Sequence, residues 1–381
     1  MTATSQQRPT SVTIDLDNLA FNYRSVQRFI GGDVACMAVV KADAYGHGAI
    51  ECSRRLAAEG VDWFAVALPE EGVELRDSGI SNPILCLGSF WPGQEKILIE
   101  KGLTPVICQL DKVRVFNEAA RGAGQVANFH IKVDTGMGRL GVRFDEVRNF
   151  ASGLQAFKNL RLEGLMTHFA AADDLAQNEF TDLQISRLYE SLKIFKDRGF
   201  DPAIIDLANS PGAIAHPCSR AKMVRLGGIL YGLGGDILPK GIEKPELRPI
   251  LSLRSRISHL KHVPAGETIG YGRTFLTDRD SLIASVPIGY ADGYPRSLSN
   301  KASALVNGTY VPVVGRISMD WISLDVTDVL NVNTGNEVVL IGEDEGHAIK
   351  AEDLAALAQT ISYEITCGIS RRVARNFVSS I

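Results

Sequence analysis

The sequence predicts an α/β fold: a (β/α)8 TIM barrel followed by a mostly-β C-terminal domain. Three features predict it. From residue 38 to residue 226, short apolar runs alternate with longer amphipathic stretches, the pattern of strands separated by helices. Pro239, Pro245 and Pro249 then break the rhythm amid charges and a glycine, as a domain boundary does. Beyond them apolar residues recur at period two between Gly, Pro and Asn turns, as in antiparallel sheet. At 381 residues the chain accommodates about two domains, since an α/β barrel alone absorbs ~250. The expected division is residues 1–11 as a loosely attached arm, 12–244 as the barrel and 245–381 as the β-rich domain.

Taken in order, residues 13–26 (TIDLDNLAFNYRSV) place apolar side chains at helical spacing behind an Asp/Asn cap cluster, a helix start. The first barrel strand is Ala38-Val39-Val40. Further candidates are residues 63–67, 84–87, 104–108, 127–133, 162–166, 204–208 and 223–226, with amphipathic stretches such as Leu183 to Phe195 between them. In the second domain the strand candidates are 251–260, 281–288, 302–306, 310–314, 321–326 and 337–341, and Asn307-Gly308 joins two of them as a hairpin turn.

With 45% hydrophobic residues, 22% charged residues and a formal net charge of −4, the composition is that of an ordinary globular protein. No Lys/Arg block supplies the field that nucleic-acid binding needs, so nucleic acid is not an expected partner. The first ten residues lack the apolar core of a signal peptide, and no run approaches the ~18 apolar residues of a membrane span. The expectation is a cytoplasmic protein without a membrane partner. The six cysteines, at 36, 52, 86, 108, 218 and 367, form no Cys-x-x-Cys pair and are expected to be reduced packing residues. His259 and His262 have no Glu or Cys at metal-motif spacing, and no metal site is expected.

Lys41 directly follows the first strand. Chemistry is built at the C-terminal ends of parallel strands, where poor solvation lowers a lysine's pKa and makes it a nucleophile or base. A lysine snorkelling from a strand end is equally compatible with the local sequence. Other strand ends add polar groups. Residues 132–142 (KVDTGMGRLGV) set Lys132 and Arg139 beside glycines that allow close backbone approach. His168 closes the segment 165–168, and Arg225 precedes Gly227 and Gly228. The N–H groups of those glycines, with the Ser210 hydroxyl, suit a phosphate on the late barrel strands. A lysine on the first strand facing phosphate donors on the last ones is the arrangement expected for pyridoxal phosphate held covalently through its aldehyde.

The sequence resembles the alanine racemase family, pyridoxal-phosphate enzymes with a (β/α)8 barrel and a β domain, over about residues 13–377. The matching segments are 38–48 (AVVKADAYGHG), 132–142, 208–210 (ANS), 225–227 (RLG), 270–272 (GYG), 289–293 (GYADG), 315–320 (GRISMD) and Tyr363-Glu364. The resemblance implies that Lys41 holds the cofactor aldehyde and that Tyr45, Ser210, Gly227, Gly228 and Tyr363 bind its phosphate. Arg225 would face the pyridine nitrogen, with His168 beside it. An arginine practically never gives up its proton, so it cannot stabilise a protonated ring nitrogen. The carbanion at Cα is then promptly reprotonated, which suits racemisation and disfavours transamination.

Racemisation needs a base on each face of Cα. The resemblance assigns these bases to Lys41 and to Tyr271 of the partner subunit in a homodimer. A tyrosine, with an ordinary pKa of ~10, needs positive charge nearby for that task. Arg139 would orient the cofactor phenolate and the substrate carboxylate, and Met319 of the partner subunit would give that carboxylate a backbone N–H. Lys132 matches a lysine that the family often carbamylates, and Asp173, Tyr290, Arg296 and Arg316 match its substrate entryway. Two departures, Ser318 for the more usual cysteine and Gly228 for a branched aliphatic, are expected to loosen local packing. The implied activity is interconversion of L- and D-alanine, supplying D-alanine for peptidoglycan. A same-fold amino-acid decarboxylase is the alternative, against which Arg225 in place of a carboxylate argues. A substrate range including serine or a broader set stays open.

Overall fold

The computed structural model describes residues 8–380. Residues 1–7 of the expected arm lie outside the described residues, and its remainder departs from the expectation. Arg8 donates to Asp292 from Nη1 to Oδ2 at 3.1 Å and from Nη2 to Oδ1 at 2.6 Å, and Ser11–Asp15 forms strand β1. Val12 and Ile14 alternate with polar neighbours and are fully buried, a period-two signal that the adjoining helix start obscures. Helix α1, Leu16–Ile30, begins where Asp15 accepts from the N–H groups of Asp17 and Asn18 at 2.9 and 2.8 Å. That cap satisfies two of the first turn's free donors.

Eight barrel strands follow among the described residues: β2 Ala35–Val39, β3 Trp63–Val66, β4 Ile84–Cys86, β5 Thr104–Pro105, β6 Ala127–Asp134, β7 Leu160–Met166, β8 Ile204–Asp206 and β9 Met223–Leu226. Neighbours pair in parallel from β2 to β5 and from β6 to β9, and β9 returns to β2 with Arg225 opposite Met37. A bridge between Val106 and His130, with Ile107 N–H donating to the His130 carbonyl at 2.8 Å, closes the gap between β5 and β6. The expected barrel is thus formed. Its strands read as unbroken apolar runs because helices cover the outside while the interior is itself a core; Phe64, Ala65 and Val66 are all fully buried.

The second half contributes β10 Leu251–Arg256, β11 His259–Val263, β12 Ser281–Val286, β13 Ser303–Val306, β14 Thr309–Pro312, β15 Ile322–Asp325, β16 Glu337–Asp344, β17 His347–Ile349 and β18 Ala374–Val378. They form one sheet in the order β14-β13-β16-β10-β1-β18, with β17 on β16, and another in the order β11-β12-β15. Strand β1 therefore lies between β10 and β18, in the sheet of the second half rather than in the barrel that its position in the chain suggested. The Asn307-Gly308 hairpin is present, with both residues left-handed (φ 47° and 68°) and Val306 opposite Thr309, as the twist of a two-residue hairpin demands. Cys36, Cys52 and Cys86 are buried, but Cys218 and Cys367 are exposed, so the packing role expected of all six cysteines does not hold for those two. Among the described residues no helix is long and apolar enough to cross a membrane.

Candidate active site

Strand β2 ends at Val39, buried Val40 follows, and Lys41 opens a short helical turn, Lys41–Gly46, of the opposite hand to an ordinary helix. Ala42, Asp43, Ala44 and Tyr45 all have φ between 52° and 55°. Each non-glycine residue held this way costs about 1–2 kcal/mol, so the surroundings must impose the turn. Glu71 accepts from Ala42 N–H at 2.7 Å through one oxygen and from Ala67 N–H at 2.7 Å through the other. Asp43 accepts from Ala49 N–H at 2.8 Å, and Arg375, on β18, donates to the Gly46 carbonyl at 2.9 Å. A side chain at Gly46 would collide with the Thr366 carbonyl, so the second half of the chain clamps the turn. The result sends both Lys41 and Tyr45 into one cavity.

That cavity, of about 440 Å³, lies at the C-terminal ends of the barrel strands and is lined also by Lys132, Arg139, His168, Asp173, Ser210, Arg225, Gly227 and Tyr363. At one end, Gly227 N–H donates to Ser210 Oγ at 3.0 Å. A Cβ at Gly227 would lie 2.6 Å from the Tyr45 hydroxyl, and one at Gly228 would overlap the Tyr363 ring. Glycine is needed at both positions so that the two phenols can reach the backbone. Gly228 thus does not loosen packing as the sequence suggested: Tyr363 fills the space a side chain would take. Burial pushes both phenols up, which keeps them protonated as donors. Ser318, the other departure, closes its own turn, with its hydroxyl donating to the Trp321 carbonyl at 3.0 Å and accepting from Trp321 N–H at 3.1 Å.

At the other end Arg225, 3% exposed, donates from Nη2 to the Thr167 carbonyl at 2.9 Å, to the Leu207 carbonyl at 3.3 Å and to His168 Nδ1 at 3.2 Å. Because a guanidinium only donates, His168 carries its proton on Nε2. Burial first, and then the nearby cations led by Arg225, push His168 down to about 2, so it is neutral. Lys132 is pushed down to about 8 by burial, Arg225 and Arg139. Lys41 is lowered as well, by burial and then by Arg139. The site is therefore a strongly cationic pocket suited to an anionic ligand, with a lysine amine made available for bond formation or proton transfer.

The remaining candidates do not line this cavity. Tyr271, Tyr290, Arg296, Arg316 and Met319 are exposed on loops of the second half. Those loops are bound together: Tyr290 N–H donates to the Ser318 carbonyl at 3.0 Å, Gly315 N–H to Asn300 Oδ1 at 2.6 Å and Ile317 N–H to Ser299 Oγ at 3.0 Å. A Cβ at Gly270 would lie 3.2 Å from Arg316 N, so the Tyr271 loop packs on the Arg316 loop. One chain thus carries two separate groups of candidate residues.

Sequence reasoning passed over Glu71 and Arg375, which shape the lysine turn, and Asp206, which contacts Arg225. Asp206 had a signal: a carboxylate inside the apolar run 204–208 must be buried, and a buried charge needs a partner.

A closed barrel with a lysine just past its first strand, a cavity at its strand ends and a β-rich second half has the architecture of a barrel enzyme. Models of the alanine racemase N-terminal domain and C-terminal domain match residues 14–234 and 250–377. The alanine racemase of Geobacter sulfurreducens is 44% identical over 377 residues, covering 98% of each chain. Among solved structures, the alanine racemase of Clostridium difficile 630 superposes with a TM-score of 0.92 at 38% identity, covering 99% of this chain and 97% of that one. The alanine racemase of Bartonella henselae with covalently bound pyridoxal phosphate does so with a TM-score of 0.85 at 28% identity, covering 97% and 99%. The chain belongs to the alanine racemase family.

Proposed function

We propose that this protein is a homodimeric, pyridoxal-phosphate-dependent alanine racemase that interconverts L- and D-alanine by a two-base mechanism in the cytoplasm, supplying D-alanine for peptidoglycan. One observation carries the reading: Lys41, the hydroxyls of Tyr45 and Tyr363 drawn against side-chain-free glycines, and Arg225 line a single cavity. The donor set fits a phosphorylated aldehyde. Bound pyridoxal phosphate supplies the electron sink that makes the substrate's Cα–H acidic.

The chain's own residues do the rest. Lys41 Nζ would hold the aldehyde carbon and, as the free amine left when the substrate's amine displaces it, would take or return the proton on one face of Cα. Tyr271 of the partner subunit serves the opposite face, in keeping with its exposure on a single chain. Tyr45, Ser210, Gly227, Gly228 and Tyr363 bind the phosphate. Arg225, held in line by neutral His168, would face the ring nitrogen as a donor that does not give up its proton. Arg139 orients the phenolate and the substrate carboxylate, which also meets the backbone N–H of the partner subunit's Met319. Lys132, at about 8, has enough neutral amine to take up carbon dioxide, and the resulting carbamate would hold Arg139. Asp173, Tyr290, Arg296 and Arg316 form the substrate entryway.

The test uses purified full-length protein loaded with pyridoxal phosphate. A visible absorption band, D-alanine formed from L-alanine, and attachment of the cofactor to Lys41 after borohydride reduction are expected. Lys41→Ala should lose all three, with a fall in rate of at least about a thousandfold. A colourless loaded wild type, or carbon dioxide release in place of D-alanine, would reject the reading.

A further inference from the structure

Asp206 ends β8 and is fully buried. Its carboxylate lies in ion-pair contact with Nη1 of Arg225, and among the described residues no other aligned donor reaches it. A buried carboxylate held so sparingly is expensive unless its charge is used. The other bonds of Arg225 go to the carbonyls of Thr167, Leu207 and Asp206, the last at 3.5 Å, and to neutral His168. Those acceptors orient the guanidinium but do not neutralise it. Arg139 adds a second guanidinium to the same cavity, which Asp173 and Asp236 also line.

Resting on the cofactor reading above, we propose that Asp206 is a positioning residue acting through Arg225: its carboxylate neutralises the guanidinium from the barrel interior, so that Arg225 meets the cofactor ring as half of a neutral pair. Burial pushes the Asp206 carboxyl up, and contact with Arg225, then fully buried His130 and Lys132, act against it to favour the charged form; Glu163 lies behind His130 at 3.6 Å. Those that act on Lys41 are Arg139, Glu71, Cys367 and Arg225. Removing the Asp206 charge leaves Arg225 uncompensated, and its field then disfavours protonation of the lysine nitrogen that carries the cofactor.

The test is Asp206→Asn, which keeps the shape and removes the charge, with Asp206→Ser as a smaller uncharged second variant should the amide not fold. Each is loaded with pyridoxal phosphate beside wild type and followed by the pH titration of the visible band between pH 6 and 11 and by kcat and KM for both alanine enantiomers. The expected result is a retained band whose titration midpoint falls on the order of one pH unit. Alongside it, kcat should drop about tenfold in both directions with KM changed less than about twofold. A variant with the wild-type midpoint and kcat overturns the role of Asp206, and so does one that loses stability while its midpoint stays unmoved. A wild type without the band fails at the earlier step, overturning the cofactor reading and this proposal together.

Discussion

In the barrel cavity Arg225 is 3% exposed and spends its donors on three carbonyls, a histidine and a carboxylate. On the loops of the second half Tyr271 is 72% exposed and Met319 is 52% exposed. The cavity groups have surroundings supplied by their own chain, and their proton affinities are already displaced: Lys41 and Lys132 downward, Tyr45 and Tyr363 upward. The loop groups have defined backbones but no enclosing environment. In the proposed two-fold dimer each chain would lend its loops to the other's cavity, which would supply that environment twice.

The largest expected effect breaks this comparison if the two groups belong to one site per chain. Tyr271→Phe should slow α-proton abstraction from one enantiomer by about a hundredfold or more, with a melting temperature near the wild-type value because only a hydroxyl is removed. When the inactive Lys41→Ala and Tyr271→Phe proteins are unfolded, mixed and refolded, half of the dimers should be mixed, each with one intact site. Recovery of about a quarter of wild-type activity is expected. No recovery, with mixed dimers verified by mass, would mean that Tyr271 serves its own chain's cavity.

A second prediction tests whether the cavity is as dry and prearranged as the burial of its groups implies. Lys132 is lowered from 10.5 to about 8, so the folded protein holds this proton less tightly than the unfolded chain. Below pH 8 both states carry it, and the full cost of the buried charge opposes folding. Between pH 8 and 10.5 the folded state sheds it first, and the cost fades as pH rises. Cofactor-free, carbon-dioxide-free Lys132→Met should therefore exceed wild type in stability by about 2 kcal/mol at pH 7, with the gap closing by about pH 10.5 in urea unfolding. A gap independent of pH would mean that water reaches Lys132. The loaded variant should be slower despite its stability, since Arg139 loses its neighbour.

What the sequence made legible was local. The barrel strands show as apolar runs of their own, and Lys41, Arg225 and the Gly227-Gly228 pair sit at run ends where neighbours advertise them. The rest depends on residues distant in sequence. Strand β1 is five residues long and abuts a helix whose period masks its alternation, and its partners β10 and β18 lie at the far end of the chain. Arg375 reaches Gly46 across 329 residues. Asp206 is one letter in an apolar run and acquires meaning only beside Arg225. The left-handed turn was hidden for another reason: Ala42-Asp43-Ala44-Tyr45 has no local preference for that hand, and only clamping by other elements creates it.

That clamping yields the smallest predicted effect, and one that sharpens the contrast between the two regions. Ala42 is exposed and left-handed, and its backbone N–H donates to Glu71, a bond that glycine keeps. Ala42→Gly relieves a conformational cost of about 1–2 kcal/mol and adds an unfolded-chain entropy cost of about 0.5–1 kcal/mol. The net should be stabilisation by about 0.5–1 kcal/mol, read as a raised melting temperature with racemisation nearly unchanged. The sign is informative because glycine within a helical turn ordinarily destabilises. A gain means that Glu71, Thr366 and Arg375 impose the turn rigidly, so that relieving Ala42 leaves Lys41 where it was. A loss would mean that the turn relaxes toward an ordinary conformation on its own, and that the lysine side of the site is held no more firmly than the tyrosine side.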